Sequence, residues 1–149
     1  MTENALSELL TATEEASDRF DLLDKLREHP GLAAAPPEEA MRAAALLSVS
    51  GDPADLPTVA ELAGRAHQAG IESAGVIFAE AVDKISLYQG QPQRYGTVMV
   101  EHQGDVVQPP VDPNVSDDER AALGVPSMAE LRRRMDDVTR QMAIERAAK

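Results

Sequence analysis

Apolar residues in this chain return every three or four positions, in stretches that proline and glycine cut short. Over residues 4 to 28, Leu6, Leu9, Thr13, Ala16, Phe20 and Leu23 fall at spacings of 3, 4, 3, 4 and 3. That period places all six on one face of a helix. His29-Pro30-Gly31 ends it, because proline cannot continue a helix and glycine tolerates the turn that follows. Residues 32 to 36 form a short linker. A second helix is expected from Pro37, whose fixed φ suits the first helical position, with Glu38 and Glu39 at the positive end of the dipole. It turns Met41, Ala44, Ala45 and Val49 inward. After the turn Ser50-Gly51-Asp52-Pro53, the residues Val59, Leu62, Ala63 and Ala66 mark a third helix up to Gly70. Residues 73 to 88 are apolar nearly all round, as a central, largely buried helix should be.

Beyond Gly90-Gln91-Pro92 the pattern changes to short β-favouring runs, Tyr95 to Glu101 and Asp105 to Val107, around His102-Gln103-Gly104. A hairpin is the simplest reading. Pro109, Pro110 and Pro113 stop it and lay down an extended crossing segment. Ser116-Asp117-Asp118-Glu119 is a capping box that opens a short helix ending at Gly124, and Ser127-Met128-Ala129-Glu130 is a second one. The last helix carries Met128, Leu131, Met135, Val138 and Met142 in a narrow seam. With 149 residues the chain is expected to be one domain, 1–149. Its parts are an N-terminal helix and linker (1–36), a core (37–126) holding the hairpin at 95–107, and a C-terminal helix (127–149). The expected fold class is mainly α, with five to six helices and one small β-hairpin, hence α+β.

Composition narrows the function classes. Fourteen Lys plus Arg against 26 Asp plus Glu give a net charge of −12, which repels phosphate backbones and anionic lipid headgroups. Phe20, Phe78, Tyr88 and Tyr95 are the only aromatic residues, too few for a base-stacking surface. Neither nucleic acid nor a membrane is an expected partner. The absence of cysteine removes disulfides, thiolate nucleophiles and thiolate-ligated metals. The sequence begins MTENALSELL, without a basic region ahead of an apolar core, and no run approaches the length of a transmembrane helix. A cytoplasmic, soluble protein is the expectation. Eleven Arg to three Lys, with abundant Ala, suggests a bacterial genome of high GC content.

The charge is uneven. Residues 1 to 28 hold eight acidic and three basic groups, whereas residues 127 to 149 hold six basic and four acidic. Opposite fields and matching seams favour the terminal helices lying side by side, within one chain or between the two subunits of a homodimer. Such a seam would bury Leu9, Phe20, Leu131, Met135 and Val138.

For chemistry, His29, His67 and His102 stand in separate elements, so no metal site is expected. Asp112-x-Asn114-x-Ser116 imitates the start of a calcium loop, yet Asp117 stands where that loop needs glycine and Leu123 where it needs a bidentate glutamate. What remains is a polar group able to converge: Asp83, Lys84, Gln93, Tyr95, Thr97 and Arg120. A buried charge costs several kcal/mol unless it is paired, so Asp83 and Lys84 require partners or a cavity. In a purely structural arrangement Glu80 and Lys84 form an i, i+4 ion pair, while Asp83 faces solvent or binds Arg120.

The run Asp83-Lys84-Ile85, then Gly90-x-Pro92-Gln93-x-Tyr95-Gly96-Thr97, then Asp117-x-x-Arg120 and Gly124-Val125-Pro126 with Ala129-Glu130, resembles the bacterial domain of unknown function 6624. The likeness spans roughly residues 37 to 131. Asp83, Gln93, Tyr95, Gly96, Thr97, Asp117, Arg120 and Gly124 match its pattern. Lys84 stands in place of the family's arginine, Val98 of a glutamine, Glu119 of an arginine, and Ser50-Gly51 of a glutamine-histidine pair. The resemblance implies a shared fold and a site near Tyr95. The departures remove groups suited to proton transfer and oxyanion binding.

The first functional expectation is therefore an accessory or binding protein, with a polar pocket between the 73–88 helix and the hairpin that holds a small polar molecule or a protein partner. There Lys84 and Arg120 hold an anionic group and Tyr95 offers a flat face and a hydroxyl. A setting in bacterial specialised metabolism fits this reading. The alternatives are a cofactor-independent acid–base enzyme (a hydrolase, isomerase or lyase) using Asp83 as base with Tyr95 or Lys84 as acid, and a helix-mediated interaction module. No cofactor is expected.

Overall fold

The computed structural model describes residues 2–149, with side chains described from residue 5 onward. Its elements in chain order are α1 (Thr2–Glu15), α2 (Phe20–Arg27), α3 (Pro37–Ser48), a 3₁₀ turn (Pro53–Asp55), α4 (Leu56–Gln68), α5 (Ala74–Tyr88), β1 (Val100–His102), β2 (Asp105–Val107), α6 (Asp117–Ala122) and α7 (Met128–Ala147). The fold is mainly α with one two-stranded antiparallel hairpin, an α+β arrangement.

Two expectations of helix continuity need correction. The first helix is two, α1 and α2, so the described residues hold seven α-helices rather than five or six. The break falls at residues 16–19, where the Asp18 carboxylate accepts from the Phe20 backbone N–H and competes with the helical pattern. The redirected chain leaves Phe20 74% exposed, off the apolar face its spacing assigned it. Val49 likewise lies just past the end of α3 and is 72% exposed instead of facing inward.

α5 is the central element. Every residue in it except Glu80 and Tyr88 is at least partly buried. One side, with Ala74, Ile77, Ala81 and Ile85, packs into the larger core that α1–α4 supply through Leu6, Leu10, Leu26, Leu47, Val59 and Leu62. The other side, with Ala79 and Val82, packs against a smaller core of Tyr95, Val115, Val125 and Leu131. Near its start Gly75 meets the turn after α6 so closely that a Cβ would stand 2.5 Å from the Leu123 carbonyl oxygen. Only glycine fits there. His67 on α4 ties the same turn down by a 3.0 Å bond between Nε2 and the Ala122 carbonyl.

The hairpin pairs Val100 with Val107 and His102 with Asp105, so β1 is shorter than the expected 95–101 strand. Ser116 makes both halves of its capping box with Glu119. Ser127 makes one half: its oxygen accepts from the Glu130 N–H, while the Glu130 carboxylate turns to Arg133 and Arg134. Among the described residues the terminal helices form no common apolar seam. α1 packs on α2 and α3, whereas α7 packs on β2. Leu9 borders the larger core and Leu131 belongs to the smaller one, and Val138 is 47% exposed.

Candidate functional site

Asp83 lies on the face of α5 that meets the smaller core, and its side chain is fully buried. A buried carboxylate must find donors. Here the chain itself provides four: Oδ1 accepts from the backbone N–H of Arg94 (2.7 Å) and Tyr95 (2.8 Å), and Oδ2 accepts from the Thr97 N–H (2.9 Å) and the Thr97 hydroxyl (2.6 Å). Residues 94–97 therefore wrap around the carboxylate as a loop of inward-pointing amides. Gly96, at φ +86°, takes the left-handed conformation that lets the loop close. These bonds also explain the shortened strand. Amides expected to pair across the hairpin are held by side chains instead.

Gln93 extends the clamp. Its side-chain oxygen accepts from the Val98 N–H, and its Nε2 donates to the carbonyls of Val98 (3.1 Å) and Pro109 (3.0 Å). Its backbone donates to the Pro110 carbonyl and accepts from the Asp112 N–H, so one residue pins the proline-rich crossing segment. Arg120, 3% exposed, completes the arrangement from α6. Its Nε donates to the Tyr95 carbonyl (2.9 Å), and its Nη1 donates to the Val115 carbonyl and to Asp117 (3.1 Å each). The Tyr95 backbone is thus held between two opposite charges, its N–H by Asp83 and its C=O by Arg120. Arg94 lies over the Tyr95 ring at 5.6 Å from its centre.

The structure brings together Asp83, Gln93, Tyr95, Thr97 and Arg120. Asp83 and Arg120 are linked through the backbone of Tyr95, one at its N–H and the other at its C=O, without bonding each other. Lys84 makes no bond to the clamp; with Tyr88 it lines a depression of about 150 Å³ beside the end of α3 and the 3₁₀ turn, and a second of about 310 Å³ that Val98, next to Thr97, also borders. It forms no ion pair with Glu80. A further cavity of about 310 Å³ does lie between α5 and the residues leading into the hairpin. Of the expected site residues only Thr97 lines it, alongside Val76, Glu80, Met99, Leu131 and Arg134. Arg120 lines a different one, a cleft of about 350 Å³ walled by residues 108–113, with Met128 and Arg132 opposite. In place of the expected single pocket, Lys84, Thr97 and Arg120 line separate depressions.

Sequence reasoning missed a second buried carboxylate. Asp55, 5% exposed, accepts from Arg27 Nε and Nη2 at 2.8 Å each, and from the Ser50 hydroxyl at 2.6 Å. These bonds, the Arg27 guanidinium first, hold its carboxyl below the usual range and raise the pKa of Arg27. The pair staples α2 to the start of α4 across 28 positions of sequence. Among the described residues no three His, Asp or Glu side chains cluster closely enough to hold a metal ion. No family model, curated protein or solved structure matches this chain.

Proposed function

We propose that this protein is a binding or accessory protein, and that Asp83, Gln93 and Arg120 build the frame of its binding surface instead of performing acid–base chemistry. The observation that carries this reading is the saturation of Asp83. Four protein donors occupy its two oxygens, and a general base needs an open lone pair within reach of a substrate proton. Tyr95, a buried residue at 8% exposure, is equally poorly placed to serve as the acid. The resemblance to the family of unknown function rests on the quoted motifs, and the clamp gives its matching residues a shared architectural purpose. A cytoplasmic setting and a place in bacterial specialised metabolism belong to this reading on sequence grounds. No helix among the described residues is long and apolar enough to cross a membrane.

The test is a thermal-shift and NMR screen of the full chain against small acids, amines and amides. Saturable stabilisation by one chemical class, with every compound recovered unchanged after prolonged incubation, is the expected outcome. Conversion of any compound, abolished by Asp83→Asn in a folded variant, would overturn the reading in favour of an acid–base enzyme.

A second reading has its own support. Phe20, Val138 and Ile144 are 74%, 47% and 58% exposed, and they lie in terminal segments, 1–28 and 127–149, of opposite charge balance. Association of α7 with the α1–α2 face of a second copy would cover them. Sedimentation velocity over a concentration series distinguishes such a dimer from a monomer.

A further inference from the structure

Arg120 carries a group that the clamp does not use. Its guanidinium has five N–H donors in a fixed fork. Nε and Nη1 are committed to Tyr95, Val115 and Asp117, but Nη2 has no partner among the described residues. Nor is Nη2 among the sealed polar atoms that lack a partner. Arg120 lines the 350 Å³ cleft, and Nη2 is the nitrogen of its guanidinium left to meet an acceptor there. A nearly buried, permanently charged donor left open to a cavity is a place where an acceptor gains most, because the desolvation of the arginine is already met by its other bonds.

Arg132 lines the same cleft from the first turns of α7. Of the three consecutive arginines, Arg133 and Arg134 are engaged with Glu130, while Arg132 forms no ion pair among the described residues. Pro110, Val111, Val115 and Met128 supply apolar walls, and Gln108 lines the cleft with its Nε2 committed to the Gly96 carbonyl. Two acidic groups temper the field: Asp112 lines the cleft with one oxygen accepting from the Asn114 N–H, and Asp117 is bonded to Arg120. Two positive and two negative groups leave little net attraction for a dianion such as phosphate. They still leave direct donors for one negative group.

We propose that the cleft between the Gln108–Pro113 segment and α7 is a binding site for a small organic monocarboxylate, its carboxylate held by Arg120 Nη2 and Arg132 and its apolar body lying against Pro110, Val111 and Met128. This rests on the binding reading above and names the ligand class. The volume, near the small end of ligand sites, suits a body of several carbons. Lys84 has no part in it, because it lines other depressions and no residue of α5 lines this cleft.

The experiment titrates the ¹⁵N-labelled full chain with 4-methylpentanoate, with 4-methylpentanamide of nearly the same shape, and with inorganic phosphate. The probes are the backbone amides of Val111, Asp112 and Met128 and the Nε–H of Arg120. Saturable shifts at these positions with the carboxylate, at least tenfold weaker with the amide and with phosphate, are expected. Arg132→Glu, at an exposed position, should weaken the carboxylate at least fivefold with an unchanged melting temperature. Arg120→Lys keeps a charge but loses the fork, and should also weaken binding if it folds. Equal binding of acid and amide, equal or tighter binding of phosphate, shifts confined to other surfaces, or an unaffected Arg132→Glu variant would each overturn the assignment. If carboxylates fail while another class of compound still stabilises the chain, this site falls and the binding reading stands.

Discussion

Replacing Asp83 by asparagine tests the clamp most directly, because it changes chemistry without changing shape. The retained Oδ1 can still accept from the Arg94 and Tyr95 amides. The new amide nitrogen, however, faces the Thr97 N–H, donor against donor, in place of Oδ2. The Thr97 hydroxyl can rotate to accept, so one backbone N–H loses its partner, at about 1 to 3 kcal/mol. Two more bonds lose their ionic assistance, at about 1 kcal/mol each. Because Thr97 is only half-buried and water can reach it, the lower part of that range applies, and we expect a loss of about 3 kcal/mol. For a domain of this size that lowers the melting temperature by about 6 to 12 °C. Thr97→Val removes the hydroxyl alone and should cost about 1 kcal/mol. Urea and thermal unfolding followed by circular dichroism read both. An asparagine variant melting within about 2 °C of the parent, or one less damaged than Thr97→Val, would refute the argument that Asp83 is an internal acceptor.

Three other outcomes are expected. The depressed pKa of Asp55 means its contribution is full above the unfolded carboxyl value of about 4 and is lost as pH falls through the lower folded value. Urea midpoints between about pH 6 and pH 2.5 should therefore fall less steeply for Asp55→Asn than for the parent, though the variant is the less stable at neutral pH. Gly75→Ala forces a Cβ to within 2.5 Å of the Leu123 carbonyl, an overpacking that should cost about 1 to 3 kcal/mol in a melting experiment despite alanine's better helix propensity. Leu131→Ala, in the smaller core, should cost about 2 to 5 kcal/mol, while Val138→Ala on the same helix should be nearly neutral in the monomer. A comparable loss from both would place Val138 in a buried interface.

Helices were legible because their signal is local and repeats. The turns at Pro30-Gly31, Ser50–Pro53 and Gly90–Pro92 also carry their own chemistry in adjacent residues. The break between α1 and α2 was hidden by accident: Ala16 and Phe20 continue the 3-4 spacing on paper, and the only contrary sign is Ser17-Asp18, a pair able to bond the backbone locally. The clamp was half legible. An aspartate on an otherwise apolar helix announces an unmet need, and the short turn to Tyr95 says where help must come from. What no pattern revealed is that the help comes from backbone amides, since an amide is present at every position and only the loop path decides which ones point inward. The Arg27–Asp55 pair gave no signal, because opposite charges 28 residues apart are common in any chain.

The clamp also explains why the cleft lies where it does. The larger core interleaves leucines with alanines across α1 to α5, and helices packed that closely leave little choice of arrangement. The smaller core has Ala79, Tyr95, Val115, Val125 and Leu131 as its buried members, and apolar contacts of that extent tolerate many loop paths. Hydrogen bonds are directional, and an unmade one is costly in a buried site, so Asp83 selects one path for residues 94–97. Gln93 transmits that choice to Pro109–Asp112, and Arg120 transmits it to Val115 and α6. The Pro109–Asp112 wall of the cleft, and Arg120 within it, therefore take their position from a single buried carboxylate on α5.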